Sequence, residues 1–142
     1  KKKQKISSKR EVFNLIDSVI STLTDQKLLS DKYYSDVKSK AFLRRGYSLN
    51  KIRYNLIKKG IDQKYIKASI SKIKENESDP DFFSAIKLCK RRRIGPSREE
   101  NNRSLFYKKD ISILARSGFD YELSKKILEI PKEEFKKFCK MI

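Results

Sequence analysis

The chain has no histidine and no tryptophan, and its 142 residues include only two cysteines, three prolines and four glycines. Each shortage excludes something. Without histidine, the commonest general base near neutral pH and the commonest neutral metal ligand are both missing. The thiols of Cys89 and Cys139 are too few for a four-ligand zinc site. A single disulfide is one reading of the pair, and two buried thiols in a reducing cytoplasm is the simpler one. Apolar runs are short, far below the roughly 20 residues that a membrane-spanning helix needs. No apolar stretch follows the basic start Lys1–Lys5, so no signal peptide is legible. The lack of an initiating methionine fits a cropped N-terminus. Gly46, Gly60, Gly95 and Gly118 stand singly, so there is no glycine-rich phosphate loop. Acidic residues are half as frequent as basic ones, 18 against 36, for a formal net charge of +18. The balance argues against most enzymes, calls for no metal or cofactor, and points to a basic protein with an anionic partner.

What is present reads as helix. Leu, Ile, Val and Phe make up about 27% of residues, enough for a thin core, and they recur at spacings of three and four. A first helix is expected from Lys9 to Asp25, with Val12, Phe13, Leu15, Ile16, Val19, Ile20 and Leu23 as one apolar stripe and Ser8/Glu11 as a capping box. Ser30-Asp31 should open a second helix on which Tyr34, Val37 and Ala41 share a face and which stops at Gly46. A third follows Ser48 to Lys59, with Leu49, Ile52 and Leu56 inward, stopped by Gly60. A fourth follows Asp62, with Ile66, Ile70 and Ile73 inward. Tyr47/Ile52 and Ile61/Ile66 have the spacing of hydrophobic staples.

After the polar stretch 74–79, Asp79-Pro80 reads as a cap followed by proline at the first helical position. The helix it opens carries Phe82, Phe83, Ile86 and Cys89 and runs into Lys90-Arg91-Arg92-Arg93. Ile94-Gly95-Pro96 breaks it, and Ser97/Glu100 suggests a capping box for a helix from Arg98 to Ser117, with Tyr107, Ile111, Leu114 and Ala115 on one side. Gly118 closes that helix. Asp120 caps a short one with Leu123, Ile127 and Leu128, and Pro131 opens a last one with Phe135, Phe138, Cys139 and Ile142.

The chain also repeats itself. At an offset of 72, Phe42-Leu43-Arg44-Arg45-Gly46-Tyr47-Ser48 overlies Leu114-Ala115-Arg116-Ser117-Gly118-Phe119-Asp120, and Leu56 overlies Leu128. The shared pattern is a helix, a glycine stop, an aromatic and a cap. It favours stacked helical units.

These same segments resemble the RecX family of bacterial recombination regulators. The matching residues are Leu28-Leu29-Ser30-Asp31, then Phe42 to Ser48, then Ile52 to Lys58-Lys59-Gly60-Ile61, with a looser match from Leu114 to Leu128; the likeness spans about 23–130. The resemblance implies tandem three-helix repeats, DNA repair and homologous recombination in the SOS response as the setting, and the RecA–single-stranded-DNA filament as partner, held along its groove and restrained. The expected architecture is all-α, an elongated array of tandem three-helix repeats. It divides into a basic tail plus the remnant helix of a first repeat (1–27), a three-helix repeat (28–76), a second helical repeat (79–130) and a C-terminal helix (131–142).

Positive charge supplies the candidate contacts: Arg44, Arg45, Arg53, Lys58 and Lys59 in the first cluster, Arg91, Arg92, Arg93, Arg98 and Arg103 in the second, and Arg116. Arginine suits bidentate recognition of phosphate or carboxylate. For any single lysine a solvated helix face is the simpler reading, and a low-GC genome adds lysines without function. Tyr33, Tyr54 and Tyr65 are candidates for base stacking. Pro80-Asp81 with Glu134-Phe135-Lys136 imitates a metal-dependent nuclease but falls on expected helices rather than strands. A helix-turn-helix DNA reader using Asn50, Lys51 and Arg53, and a structural partner of RNA, are the alternatives. The expectation is therefore a monomeric, cytoplasmic, non-enzymatic regulator of RecA that lays basic helices on the filament, with single- or double-stranded DNA as a further partner and no membrane.

Overall fold

The computed structural model describes residues 2–142, with side chains at 10–26 and 30–142. The chain is helical throughout: α1 (Lys2–Arg44), α2 (Leu49–Lys58), α3 (Gln63–Asn76), α4 (Pro80–Arg92), a 3-10 turn (Gly95–Ser97), α5 (Glu100–Leu105), α6 (Tyr107–Arg116), α7 (Tyr121–Leu128) and α8 (Lys132–Met141). No strand occurs among the described residues. The fold divides into two compact units, Lys1–Tyr34 and Ser35–Ile142.

The expected stop between Asp25 and Ser30 does not exist, because α1 runs through it. Residues 1–45 contain neither glycine nor proline, so nothing forces the helix to end. Ser8 and Ser30, read as caps, lie inside it. The apolar stripe Val12, Phe13, Leu15, Ile16, Val19, Ile20 and Leu23 is exposed along its length.

In the larger unit α1 meets α3 through the hydroxyls of Ser35 and Ser69 and the carboxylate of Asp36. Ser35 and Ser39 are the buried residues of that face, while Val37 is exposed. Ser35 Oγ and Ser69 Oγ share a hydrogen bond of 2.8 Å, and Ser69 donates to Asp36 Oδ1 at 2.7 Å. Lys72 Nζ donates to Asp36 Oδ2 at 3.0 Å. Beside this seam Leu49, Ile52, Leu56, Ile61, Ile66, Ile70 and Ile73 are buried, as their spacing requires. A further cluster includes Ile86, Cys89, Leu114, Phe119, Ile127, Leu128 and Phe135. Ala115, placed on the same side of its helix as the buried Leu114, is exposed, as is Ile142.

The glycine stops at Gly46, Gly60 and Gly118 share one geometry, with Ile61 N–H donating to Leu56 O (3.2 Å) at the middle one. Tyr47 N–H donates to Phe42 O (3.0 Å) and Phe119 N–H to Leu114 O (3.2 Å). Gly46 and Gly118 lie at φ 88° and 91°. These are Schellman closures, and Phe42 stacks flat on Tyr47 at 5.0 Å in the position such closures give to an apolar contact. Ser48 and Asp120 then cap α2 and α7 through Lys51 N–H and Leu123 N–H.

The predicted ends differ elsewhere. α4 ends within the basic run as expected, but Arg93 closes it in a left-handed conformation at φ 56°. Asp79 makes no side-chain cap bond. Ser97 Oγ donates to Cys89 O at 2.9 Å instead of capping, and the helix expected over 98–117 is interrupted at Phe106.

Gly118 packs under the α2 cap, where a Cβ would fall against Ser48 Oγ well inside contact distance. Gly60 has the same sign of φ with nothing within 4 Å of its Cβ position. Gly60→Ala should therefore cost only the left-handed backbone term, about 1 kcal/mol, and Gly118→Ala roughly 2–3 kcal/mol. Arg93→Gly should instead raise stability by about 0.5–1 kcal/mol. Denaturant melts of the three variants check the order; equal losses at both glycines would refute the packing argument.

Candidate functional site

The turn after α1 sits on α4. A Cβ at Gly46 would lie 3.0 Å from Lys87 Cβ and 3.2 Å from Ser84 O, so only a glycine lets the two backbones come this close. Arg91 Nη1 donates to Arg45 O at 2.9 Å, which satisfies one of the orphan carbonyls at the end of α1. Arg44 and Lys87 line one small cavity. Two runs of positive charge, more than 40 residues apart in sequence, thus become one cationic surface of Arg44, Arg45, Lys87 and Arg91. Arg92 and Arg93 continue it as exposed residues at the end of α4.

The other predicted contacts separate. Lys58 and Lys59 are exposed at the end of α2, where they line an open groove with Phe42, Tyr47 and Asn55. Lys58 Nζ lies 5.9 Å from the centre of the exposed Tyr54 ring, and Lys51 Nζ lies 4.1 Å from that of Tyr47. Arg116 is exposed in the last turn of α6. Arg53 donates to Asn50 Oδ1 at 3.1 Å, and Asn50 Nδ2 donates to Gly118 O at 3.2 Å. Tyr33 is exposed and Tyr65 half-buried beneath Lys64.

Arg98 and Arg103 serve the fold. Arg98 grips Asp110 with two hydrogen bonds of 2.8 and 2.9 Å, and Asp110 Oδ2 also accepts from Gly95 N–H at 2.8 Å. The Asp110 side chain is fully buried. Its hydrogen bond holds the Arg98 proton more tightly than usual. Arg103 Nη2 donates to Leu128 O (2.8 Å) and Ile130 O (2.6 Å), so it caps the C-terminal end of α7, where carbonyls favour a cation. The sequence hint for both was weak: Asp110 is an acidic residue within an otherwise apolar stripe, and burial forces it to find a partner.

Asp81 is also accounted for. Its Oδ1 accepts from Leu49 N–H at 2.8 Å, so α4 supplies a cap to α2 from outside that helix. Burial pushes this carboxyl above its usual range, and the Leu49 hydrogen bond pulls it back only in part. Both cysteines are free. Burial pushes the Cys89 thiol up to about 12, and Cys139, half-buried, is also raised by burial. Among the described residues no group of three or more histidine, cysteine or acidic side chains could hold a metal ion, and no helix is long and apolar enough to cross a membrane.

A curated Regulatory protein RecX from Clostridioides difficile is 30% identical over 133 residues, which is 90% of this chain and 58% of the relative. A Regulatory protein RecX from Myxococcus xanthus is 26% identical over 125 residues, 84% of this chain and 63% of that protein. One from Clostridium perfringens is 25% identical over 126 residues, with 89% and 58% covered. Over most of its length the chain is similar to RecX regulatory proteins. It spans about three fifths of the length of these RecX relatives. No family model matches it, and no solved structure does.

Two substitutions test the internal bonds of this chain. Asp110→Ala leaves the Arg98 guanidinium and the Gly95 N–H without their partner and should cost roughly 3–5 kcal/mol. Asp81→Asn keeps the acceptor for Leu49 but removes the buried charge. An acid whose folded value is raised destabilises the fold when ionised and is relieved as pH falls. Asp81→Asn should therefore melt higher than the parent at pH 7, with the difference shrinking as the pH approaches 4. A difference independent of pH would overturn that account.

Proposed function

We propose that this chain is a non-enzymatic regulator of the RecA recombinase that binds the RecA–single-stranded-DNA filament in its groove through the cationic surface at the α1–α4 junction. The observation that carries the reading is the meeting of Arg44 and Arg45 with Lys87 and Arg91 on one packed surface. A nucleoprotein polymer offers repeated acidic side chains and phosphates, and a cationic patch on rigid helices meets them without first ordering a loop. The matching closures at Gly46 and Gly118, each followed by a capped short helix, support repeated units as the frame. Contacts to neighbouring filament subunits would add through effective concentration. Arg92, Arg93, Arg116, Lys58 and Lys59 belong to this reading as outlying contacts, while Arg98 and Arg103 leave it, because their donors are occupied within the fold.

A helix-turn-helix reader of bare DNA fits less well. It needs the start of α2 free to enter a groove, and that start is docked: Asn50 is bonded to Gly118 O, Arg53 to Asn50, and Leu49 N–H to Asp81.

The test is co-sedimentation with RecA filaments, together with their ATPase rate, at fixed salt. The parent chain should bind coated single strands in preference to naked duplex and slow hydrolysis. Arg44→Glu with Arg45→Glu should weaken binding by at least about tenfold, with helicity by circular dichroism unchanged, since the Arg91 bond uses the backbone of residue 45. Equal affinity for naked duplex, or inhibition untouched by the double reversal, would overturn the proposal.

A further inference from the structure

The α1–α4 junction contains a feature that a flat cationic patch does not require. A cavity of about 70 Å³ opens there. Arg44, Lys87 and Glu77 line it together with the apolar Leu43, Pro80 and Phe83. Ser84 lines it as well, with the residue only 1% exposed. The Ser84 hydroxyl is sealed from solvent and has no hydrogen-bond partner. Most buried hydroxyls find one, and leaving one unmade is costly. In a helix the ordinary solution is the carbonyl four residues earlier, as Ser112 and Ser124 show here. Ser84 does not adopt it.

We propose that this cavity is a seat for one carboxylate-bearing side chain of the protein partner, which enters between Arg44 and Lys87 and accepts a hydrogen bond from Ser84. The inference rests on the regulator reading for the identity of that partner, but not for the seat itself. The volume suits a carboxylate on a short hydrocarbon stem, and the three apolar side chains suit the stem. A phosphodiester carries a sugar on each side and lies across a rim rather than entering a hole of this size. The two cations supply charge-assisted donors in a partly dry site, where such bonds are strongest. Glu77 opposes entry, so its charge tunes the affinity of the seat.

Two measurements decide it. Backbone amide shifts of the full chain are followed by NMR during titration with sodium acetate and, separately, with sodium phosphate, at ionic strength matched with chloride. The Ser84 and Lys87 amides should shift saturably with acetate, and Ser84→Ala should abolish the effect. No saturable acetate shift, or saturation by phosphate with none by acetate, overturns the seat. Filament co-sedimentation then reads the variants. Ser84→Ala should bind roughly tenfold more weakly while melting no lower than the parent, because it removes an unsatisfied buried hydroxyl. Glu77→Gln should bind more tightly. A purely structural Ser84 would leave binding unchanged, and that result overturns the proposal. If the parent chain ignores the filament altogether, the regulator reading falls, and the acetate titration still decides the seat.

Discussion

The Ser48 hydroxyl stands between the Gly46 and Gly118 turns and is used twice. It accepts from Lys51 N–H at 3.1 Å, which starts α2, and donates to Ser117 O at 2.7 Å, which ends α6. Gly118 lies directly beneath it. One side chain thus completes a cap on one helix and satisfies an orphan carbonyl on another, 69 residues away. The direction in which α2 leaves this joint places Leu49 against Asp81, and the preceding turn places Gly46 against Lys87. The cationic surface at the α1–α4 junction depends on that joint more than on any feature of the arginines themselves.

A second constraint sorts the arginines. With 36 basic residues in the chain, net charge alone cannot distinguish a contact from a strut. Burial can. Asp110 is enclosed and ionic, so it must recruit a partner, and the planar fork of Arg98 matches it with two parallel bonds. The carbonyls that end α7 recruit Arg103 in the same way. Cations without such internal demands remain exposed, and the exposed ones at the end of α1 and along α4 face outward from a packed joint.

Much of this was legible in the sequence wherever a residue has few conformational choices. Gly46, Gly60 and Gly118 mark helix ends because positive φ is open to them, and Ser48, Asp62 and Asp120 mark starts because short polar side chains reach back to early N–H groups. The apolar period places Ile52, Leu56, Ile66, Ile70, Ile86 and Ile127 in the core. What was illegible depends on distant partners. Arg93 takes a left-handed conformation that its residue type does not announce. Ser35 is buried against Ser69 of α3, while Ser39 donates to Asp36 O one turn back in its own helix. The length of α1 was misread because Ser30-Asp31 looks like a start, and a start signal with no preceding stop has nothing to act on. Of the candidate site, the identity of Arg44, Arg45 and Arg91 could be read, but their adjacency could not, since it follows from Gly46 lying on α4. Ser84 gave no signal at all: a serine on a helix is ordinary until its surroundings close over it.

The serine-lined seam between α1 and α3 has a thermal consequence. Contacts made by hydroxyls hide little apolar area from water, so they add little to the heat-capacity change of unfolding, whereas the Ile and Leu clusters on either side add most of it. The grip of the seam therefore varies little between a cold and a warm solution, while the hydrocarbon clusters loosen on cooling. Near freezing, the long helix stays fastened to α3 by polar bonds that the temperature barely touches.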